Sequence, residues 1–333
     1  MTALAAIAAL AGSLGLSWLL VGRVTAYLRH RAILDHPNDR SSHTIPTPRG
    51  GGWGVMLTLL PVWALIGFAG TNVAAVLLIL AGAAALMAVS WMDDRRGLGA
   101  APRFLIQIAA VAVGLAALPA DGLILQGLVP WWLDRVLAAF AWLWFVNLFN
   151  FMDGINGLAG SEAATIGVGM ALVAALAGLD PELALYALAA AGAALGFLRW
   201  NWDPAKVFMG DVGSVPLGYA LGWLLLTVAA LGAWPAALLV PAYFLTDATV
   251  TLLRRTAEGK KVWQAHREHF YQKATQQGRS HGEVVRAVLA ANAALVALAA
   301  ASLSIGWTAL PAGAAVVALL LAHLARRPAR AAA

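Results

Sequence analysis

Long apolar segments separated by short polar loops follow one another along almost the whole chain of 333 residues. A bilayer core about 30 Å thick needs about 20 apolar residues in a helix that crosses it. The pattern therefore predicts an all-α polytopic membrane protein with about eleven transmembrane helices. The apolar segments are 3–22, 51–69, 72–92, 104–120, 136–152, 160–178, 183–198, 214–233, 235–253, 287–304 and 309–325. No repeat or polar linker divides the chain, so we expect a single domain over residues 1–333.

The composition excludes several other classes of protein. Hydrophobic residues make up 61% of the chain and charged residues only 11%, whereas a soluble domain carries about 25% charged residues. A soluble globular enzyme, a disordered chain and a coiled coil are therefore excluded. The chain has no cysteine, which excludes disulfides and thiolate sites. In a membrane protein, the net charge of +6 indicates cytoplasmic loops, so we expect no nucleic acid partner.

The distribution of the charges predicts which side of the membrane each loop occupies. Of the 22 Lys and Arg residues, 21 fall in loops on one side, and only Arg135 falls on the other. Because cytoplasmic loops carry the excess of positive charge, we expect a periplasmic N-terminus and a cytoplasmic C-terminus. Twelve of the 16 acidic residues lie on or near the cytoplasmic side as well. This indicates an active site at the cytoplasmic face, since ion-coupled transporters place ionisable groups near the midplane.

Carboxylates stand at two predicted helix ends on that side. Asp93 and Asp94 end the third apolar segment, and adjacent carboxylates repel each other unless a cation lies between them. They offer hard oxygen ligands for Mg²⁺, or one ligand and one proton acceptor. Asp211, between two glycines before a helix, can reach a metal while the following amides face a phosphate. The alternatives are a solvated helix end for the pair and a turn with Ser214 as N-cap for Asp211.

A row of polar residues ends the fifth apolar segment. Asn147, Asn150 and Asp153 recur every three residues, which puts them on one face of the helix end. Amides with a carboxylate suit the binding of a nucleoside and its ribose, or indirect support of a metal. Further along the chain, Phe208 could stack on a base. A polar helix end followed by turn glycines is the weaker interpretation of the row.

The polar segment 254–286 contains a basic motif. His266 and His269 are three residues apart, and with Lys273 they can share one helical face. Two histidines at this spacing could bind zinc, but the segment offers no third ligand with suitable spacing. A patch that contacts a diphosphate fits Arg267 and Lys273 better. The competing interpretation is a helix at the membrane surface that touches anionic headgroups.

Together, these motifs resemble the polyprenyl-phosphate N-acetylhexosamine-1-phosphate transferase family, of glycosyltransferase 4 type. The resemblance extends from residue 35 to residue 273. It is carried by Arg40, His43, Gly50-Gly51, Asp93-Asp94, Arg103-Phe104, Gln107 and the runs 147–158, 208–214 and 266–272. It implies that a UDP-N-acetyl amino sugar meets undecaprenyl phosphate at the bacterial inner membrane. Sugar-1-phosphate then moves to the lipid, UMP is released, and Mg²⁺, for which Mn²⁺ could substitute, is required.

The resemblance also implies roles for individual residues. Asp211 matches a direct Mg²⁺ ligand, while Asp93 and Asp94 match residues that position the lipid phosphate and the metal, and one of them could act as a base. The positions that match nucleotide-binding residues are Asn147, Asn150, Asp153, Asn201 and, as the uracil-stacking aromatic, Phe208. The positions that match the diphosphate- or sugar-contacting motif are His266, Arg267 and His269. Asn156, also in the substrate-binding run, stands where many members have Asp, which leaves its role open.

The motifs also favour one branch of the family. The run 266–272 resembles the branch that initiates O-antigen, and the 23–50 loop lacks the Lys-Gly-Thr-Pro-Thr-Met pattern of translocase I. We therefore expect a transferase that initiates a cell-surface polysaccharide such as O-antigen. The alternatives are the phospho-MurNAc-pentapeptide translocase and a non-catalytic lipid-linked-sugar transporter. The resemblance is compatible with a homodimer, and we favour direct attack of the lipid phosphate over a phospho-enzyme.

Overall fold

The computed structural model describes residues 2–37, 45–261, 264 and 266–327. Arg40 and His43, two of the residues that carry the family resemblance, lie outside the described residues. Short strands β1 (Leu34–Asp35) and β2 (Thr47–Pro48) pair antiparallel, and all other regular structure described is helical. The helices are α1 Ala3–His30, α2 Gly52–Ala69, α3 Val73–Arg96, α4 Ala100–Ala117, α5 Trp131–Phe151, α6 Leu158–Leu176, α7 Pro181–Asn201, α8 Asp211–Leu239, α9 Ala242–Ala257, α10 Phe270–Gln276, α11 His281–Ile305 and α12 Leu310–Ala325.

The chain is an all-α multi-pass membrane protein. Within the described residues, nine candidate spans are long and apolar enough to cross a membrane. The eleven apolar segments of the sequence correspond to α1–α9, α11 and α12. Two features account for the difference in number. Helix α9 has only 16 residues, and α11 and α12 form one candidate span of 45 residues, although the chain turns at Gly306, whose φ is +63°.

Helices α6, α7 and α8 form the centre of the bundle. In their apolar windows, 78%, 67% and 78% of the residues are buried inside the protein. Small residues allow this close approach. A side chain at Gly167 of α6 would overlap the backbone of α7, and one at Gly192 of α7 would overlap the carbonyl of Leu10 in α1. The outer helices α1, α2 and α4 expose apolar side chains instead, as expected of surfaces that face lipid.

Two loops at one end of the bundle run side by side. Arg49, before α2, forms a parallel bridge with Phe208, before α8. The amides of Gly50 and Gly51 both donate to the carbonyl of Phe208, at 3.1 and 2.8 Å. Gly52 then packs on Gly213 so closely that a Cβ on either residue would overlap the backbone of the other. The first turns of α2 and α8 are therefore held in direct backbone contact.

The opposite end of the bundle is closed by polar contacts of α5. Asp134 accepts hydrogen bonds from the amides of Ile124 and Leu125. Arg135, the one basic residue on this side, donates to the carbonyls of Pro119 and Gly122 at 2.7 and 2.9 Å. Both side chains are buried, and they hold the loop between α4 and α5. We assign them a structural role.

Candidate active site at one end of the helix bundle

Two of the predicted carboxylates converge on one guanidinium. Nη2 of Arg49 lies 2.9 Å from Oδ1 of Asp94 and 2.9 Å from Oδ1 of Asp211. Asp94 is in the last turns of α3, while Asp211 begins α8, where the helix dipole favours a negative charge. Oδ2 of Asp94 also accepts from the amide of Val212 at 3.2 Å. The end of α3 and the start of α8 therefore meet at a charged centre.

The charged groups of this centre shift one another's pKa values. Burial alone would lower the pKa of Arg49, but the charges of Asp211 and Asp94 raise it above its ordinary value. Asp153, in the loop after α5, has a raised pKa because burial disfavours its charge and Asp211 repels it. Asp153 is half-buried, and Asp211, Arg49 and Asp94 are close enough for their charges to act on it. The charges of Asp94, Asp153, Asp211 and Arg49 thus influence one another.

Asp93 occupies a different position from Asp94. Its Oδ1 accepts from the amide of Leu98 at 2.6 Å, and its Oδ2 lies 2.7 Å from Nη1 of Arg103. Gly97, with a φ of +66°, makes the turn that places Leu98 there. Both oxygens of Asp93 are therefore engaged at the end of α3. Arg103 also lies 3.7 Å from Oδ2 of Asp211, so Asp93 is linked to the centre through Arg103.

The Asp94 and Asp211 pair fits a magnesium ion. Mg²⁺ is commonly bound by one or two carboxylates together with water and substrate phosphates. Oδ1 of Asp94 is buried and lies 2.9 Å from Arg49 in an ion pair without hydrogen-bond geometry, so this oxygen would be available to an ion if Arg49 moved. In the part of the chain that the structure describes, no group of three or more His, Asp or Glu side chains could hold an ion. The pair would share the ion with a substrate phosphate.

The predicted row of polar residues lies beside this pair. Nδ2 of Asn150 donates to Oδ1 of Asp211 at 3.2 Å and to the hydroxyl of Ser214 at 2.8 Å. One turn earlier, Asn147 donates to the side-chain oxygen of Gln107 at 2.9 Å. The structure therefore brings Asn150 and Asp153 to the centre and connects Asn147 to α4. Asn150 orients Asp211.

Asn201 and Asn156 hold loops together. Asn201 is buried, accepts from the amide of Gly157 at 2.8 Å and donates to the carbonyl of Val207 at 2.9 Å. Asn156 donates to Oδ1 of Asp203 at 3.0 Å. Asn201 thus acts through the backbone of the loops that carry Asp153 and Phe208. Its direct contact with a nucleotide stays a prediction, as does that of Asn156.

A polar cavity of about 490 Å³ is lined by Phe208, whose backbone forms the bridge with Arg49. Three of the predicted substrate-binding residues line it, namely Asn156, Phe208 and Arg267, and the other lining residues come from the segment before β2 and β2 itself, the loop before α8 and the segment around α10. Its lining residues include Thr47, Asn156, Asp203, Phe208, Arg267, Gln276, Arg279 and His281. A cavity with an aromatic ring, amides and arginines has the chemistry needed for a nucleotide diphosphate.

An apolar groove of about 390 Å³ reaches the centre from another direction. Much of its wall consists of apolar side chains of α3, α4, α5 and α8, such as Leu86, Phe104 and Val215. Its polar lining side chains are those of Ser90, Arg103, Gln107, Asn147, Asn150 and Asp211, so the predicted nucleotide-binding residues Asn147 and Asn150 line this groove. The groove therefore has the character of a site for a lipid with an anionic head.

The two histidines of the basic motif have different environments. The ring of His266 stacks on that of His269, with centroids 4.9 Å apart. Burial, followed by the charges of His269 and Arg255, lowers the pKa of His266 to about 4, so it is neutral at pH 7. Its Nδ1 accepts from the amide of Glu268, which leaves the proton on Nε2 as a donor. The positive charge of the predicted basic motif is therefore carried by Arg267 rather than by His266.

The ring of His269 contacts the buried carboxylate of Asp247. Its Nδ1 lies 3.2 Å from Oδ1 of Asp247 in α9. Asp247 also accepts from the amides of Phe270 and Tyr271, which begin α10. The hydroxyl of Tyr271 in turn donates to the carbonyl of Phe151 at 2.9 Å. Asp247 thereby connects the basic motif to the end of α5 and to the polar row.

Arg49, Asp203 and Asp247 are site residues that were not predicted as such from the sequence. Arg49 had one signal, because it precedes three glycines at the start of a helix. Asp203 follows the predicted Asn201 by two residues. Asp247 lies inside an apolar segment, where an ionisable residue is rare and generally functional.

Comparison with known proteins identifies the family of the chain. Residues 76–229 match glycosyl transferase family 4, the family of the polyprenyl-phosphate N-acetylhexosamine-1-phosphate transferases. The chain is 30% identical over 321 residues to the decaprenyl-phosphate N-acetylglucosaminephosphotransferase of Mycobacterium tuberculosis, and the alignment covers 81% of this chain and 76% of that protein. The chain belongs to this family.

Relatives of this transferase come from more than one branch. A probable undecaprenyl-phosphate N-acetylglucosaminyl 1-phosphate transferase of Bacillus subtilis is 28% identical over 282 residues, which cover 80% of this chain and 77% of that protein. A phospho-N-acetylmuramoyl-pentapeptide-transferase of Synechococcus is 35% identical over 230 residues, which cover 62% of this chain and 60% of that protein. Of the site residues of this transferase, Asp93, Asp94, Asp153 and Asp211 lie inside the family match, whereas Arg49 lies outside it.

Proposed function

We propose that this transferase moves an N-acetylamino-sugar 1-phosphate from a UDP-sugar to undecaprenyl phosphate and releases UMP. The observation that carries the proposal is the position of the Asp94 and Asp211 pair. Asp211 lies in the wall of the apolar groove, and Phe208, three residues earlier on the same loop, lies in the wall of the polar cavity. A lipid phosphate in the groove and a nucleotide diphosphate in the cavity would therefore meet at the carboxylates.

The chemistry is a phosphoryl transfer between two anions. An oxygen of the lipid phosphate attacks the phosphorus that carries the sugar, a new P–O–P linkage forms, and the bond to the UMP oxygen breaks. A phosphate monoester has a second pKa of about 6, so at pH 7 the attacking group is largely ionised and needs no strong base. The protein's contribution is positioning and stabilisation of charge.

Different residues of the centre contribute to positioning and to charge stabilisation. Arg103 and Arg267 supply positive charge on the groove side and on the cavity side. Asn150 keeps Asp211 oriented. Mg²⁺, or Mn²⁺ in its place, would be held by Asp94 and Asp211 and would neutralise charge on the diphosphate. Direct attack is supported because Asp93 is paired with Arg103, while Asp94 and Asp211 would hold the ion, which leaves none of the three as an unengaged nucleophile.

We place the site at the cytoplasmic face of a bacterial inner membrane, with the N-terminus in the periplasm. The support is the excess of Lys and Arg on the loops at this end of the bundle. A polar UDP-sugar is made in the cytoplasm and does not cross a bilayer. The charged centre is accordingly at the side where that substrate is available.

We further propose that the product initiates a cell-surface polysaccharide such as O-antigen. The two N-acetylglucosamine phosphotransferases align over 81% and 80% of this chain. The second candidate is transfer of phospho-MurNAc-pentapeptide, which the 35% identity to the Synechococcus enzyme favours. That alignment is shorter and covers 62% of this chain, so we rank it second.

The test is an assay of UMP release by the purified full chain with undecaprenyl phosphate and Mg²⁺. The donors are UDP-GlcNAc, UDP-FucNAc, UDP-QuiNAc and UDP-MurNAc-pentapeptide. We expect UMP with at least one of the first three. UMP with the pentapeptide donor alone would replace this function with the second candidate. No UMP with any donor would favour a non-catalytic transporter, and a phosphorylated Asp isolated during turnover would overturn direct attack.

A further inference from the structure

Arg49 occupies the position between two carboxylates where a divalent cation would bind. One nitrogen, Nη2, lies 2.9 Å from both Asp94 and Asp211. The two acids are largely buried, with 5% and 19% of their side chains exposed, whereas 40% of the Arg49 side chain is exposed. Two buried carboxylates at this distance repel each other strongly unless a positive charge lies between them. Arg49 supplies that charge.

A cation and Arg49 cannot share the pair. A divalent ion at the shared oxygens would meet the guanidinium at short range, and the two positive charges would repel each other. Arg49 must therefore leave when the ion binds. Only the side chain of Arg49 needs to move, because it is partly exposed, while the backbone stays held by the bridge to Phe208. The freed guanidinium needs a new anion.

The proposed site of the nucleotide diphosphate is close to Arg49. Thr47, two residues before Arg49, and Phe208, which forms the backbone bridge with Arg49, line the polar cavity that we assign to the nucleotide. Guanidinium groups bind phosphate in a bidentate manner. We propose that Arg49 is a built-in counterion of Asp94 and Asp211, which a divalent cation displaces onto a phosphate of the bound diphosphate. Metal binding and diphosphate binding are therefore coupled, and by linkage the coupling acts equally in both directions.

This inference rests on the proposed function for the identity of the diphosphate, but its first test measures metal affinity alone. Binding of Mn²⁺ to the purified full chain is followed by the electron paramagnetic resonance signal of the free ion. Without nucleotide, we expect Arg49→Gln to bind Mn²⁺ about tenfold more tightly than the wild type. Arg49→Lys keeps the charge and should stay close to the wild type. Arg96→Gln is the matched control, because Arg96 is an exposed cation at the same helix end.

Addition of UDP, which carries a diphosphate but no sugar to transfer, tests the coupling. The factor by which UDP increases the affinity for Mn²⁺ should be about ten times larger in the wild type than in Arg49→Gln. Equal Mn²⁺ affinities of wild type and Arg49→Gln without nucleotide would overturn the counterion role. An equal effect of UDP on both proteins would overturn the transfer of Arg49 to a phosphate. Failure of any protein to bind Mn²⁺ would overturn the proposal and the metal site together.

A second measurement needs no substitution at Arg49. Phenylglyoxal modifies accessible arginines, and the modified peptide is quantified by mass spectrometry in the wild-type chain. Modification of Arg49 should increase several-fold with Mn²⁺ and decrease when UDP is added, while that of Arg96 stays constant. Modification of Arg49 that does not respond to Mn²⁺ would contradict the proposal. UMP release is measured separately, so an inactive protein with the expected Mn²⁺ pattern would refute only the transfer reaction.

Discussion

At the scale of single residues, the site depends on carboxylates that have neighbours of opposite charge. Asp93 and Asp94 are adjacent in the sequence, yet one helix step of about 100° separates their directions. Asp93 is bound by Leu98 and Arg103, whereas Asp94 faces Asp211. The sequence predicted the carboxylates, but which member of the pair faces the centre depends on the rotation of α3 in the bundle.

Asp211→Asn tests the most central of these residues. The variant keeps the size of the side chain and its contact with Asn150, but it removes a negative charge from the metal-binding pair. We expect UMP release to fall by at least about a hundredfold, the cost of losing one preorganised electrostatic contact. Asp121→Asn, an exposed acid at the opposite end of the bundle, is the control and should stay active. Retained activity in Asp211→Asn would remove it as a metal ligand.

His266 gives a prediction for the pH dependence of stability. The folded protein lowers its pKa from the usual 6.5 to about 4. Between these values the unfolded chain binds a proton that the folded chain does not, so the folded state loses stability as the pH falls from about 6.5 to about 4. Thermal unfolding from pH 7 to pH 4 should show a smaller decline in His266→Gln than in the wild type. His36→Gln, which removes an exposed histidine, should follow the wild type; identical profiles of all three would refute the shift.

At the scale of elements, the short helix α10 is positioned by hydrogen bonds to a carboxylate of α9. Its first turn donates two amides to Asp247, and Tyr243 and Thr251 of α9 donate to the same carboxylate. The sequence showed a basic motif in a polar segment. The sequence could not show that the carboxylate of Asp247 contacts this motif, because residues 247 and 269 are brought together only by the packing of α9 against α10.

Asp247→Ala tests this support. The substitution leaves buried donors without an acceptor, and each such group costs about 1–3 kcal/mol. We expect a clearly lower unfolding temperature in detergent, together with loss of UMP release at temperatures where the variant is still folded, because His269 is no longer oriented. Thr251→Val removes one donor and keeps the carboxylate, so its activity should stay near that of the wild type. Full activity in Asp247→Ala would show that His269 needs no such support.

At the scale of the whole molecule, the apolar pattern predicted the helices well. Each of the eleven segments corresponds to a helix in the described residues, because burial in lipid and in the bundle both require apolar helices. The pattern placed a break between residues 233 and 235, but α8 passes through a wider turn, where φ of Gly232 is +100°, and continues to Leu239, while α9 begins at Ala242. The pattern also could not predict which loops meet, since the contact of residues 49 and 208 is set by the order in which the helices pack.

The absence of cysteine makes the proposed orientation directly testable. A single cysteine placed by Asp121→Cys or by Lys261→Cys lies at an exposed position at one or the other end of the bundle. In right-side-out membrane vesicles, a membrane-impermeant maleimide should label only the Asp121→Cys protein. The Lys261→Cys protein should become labelled after permeabilisation. The reverse pattern would place the site on the periplasmic side.

The contact between Gly52 and Gly213 has a consequence for inhibition. Because backbone touches backbone there, the spacing between the loop of Arg49 and the loop of Asp211 does not depend on side-chain rotamers. A small molecule that binds both loops meets a site that is already ordered, so it loses less conformational entropy on binding than it would in a flexible pocket. Compounds that join an anionic or metal-chelating group to a lipid-like tail therefore have a preformed target where the groove meets the carboxylates.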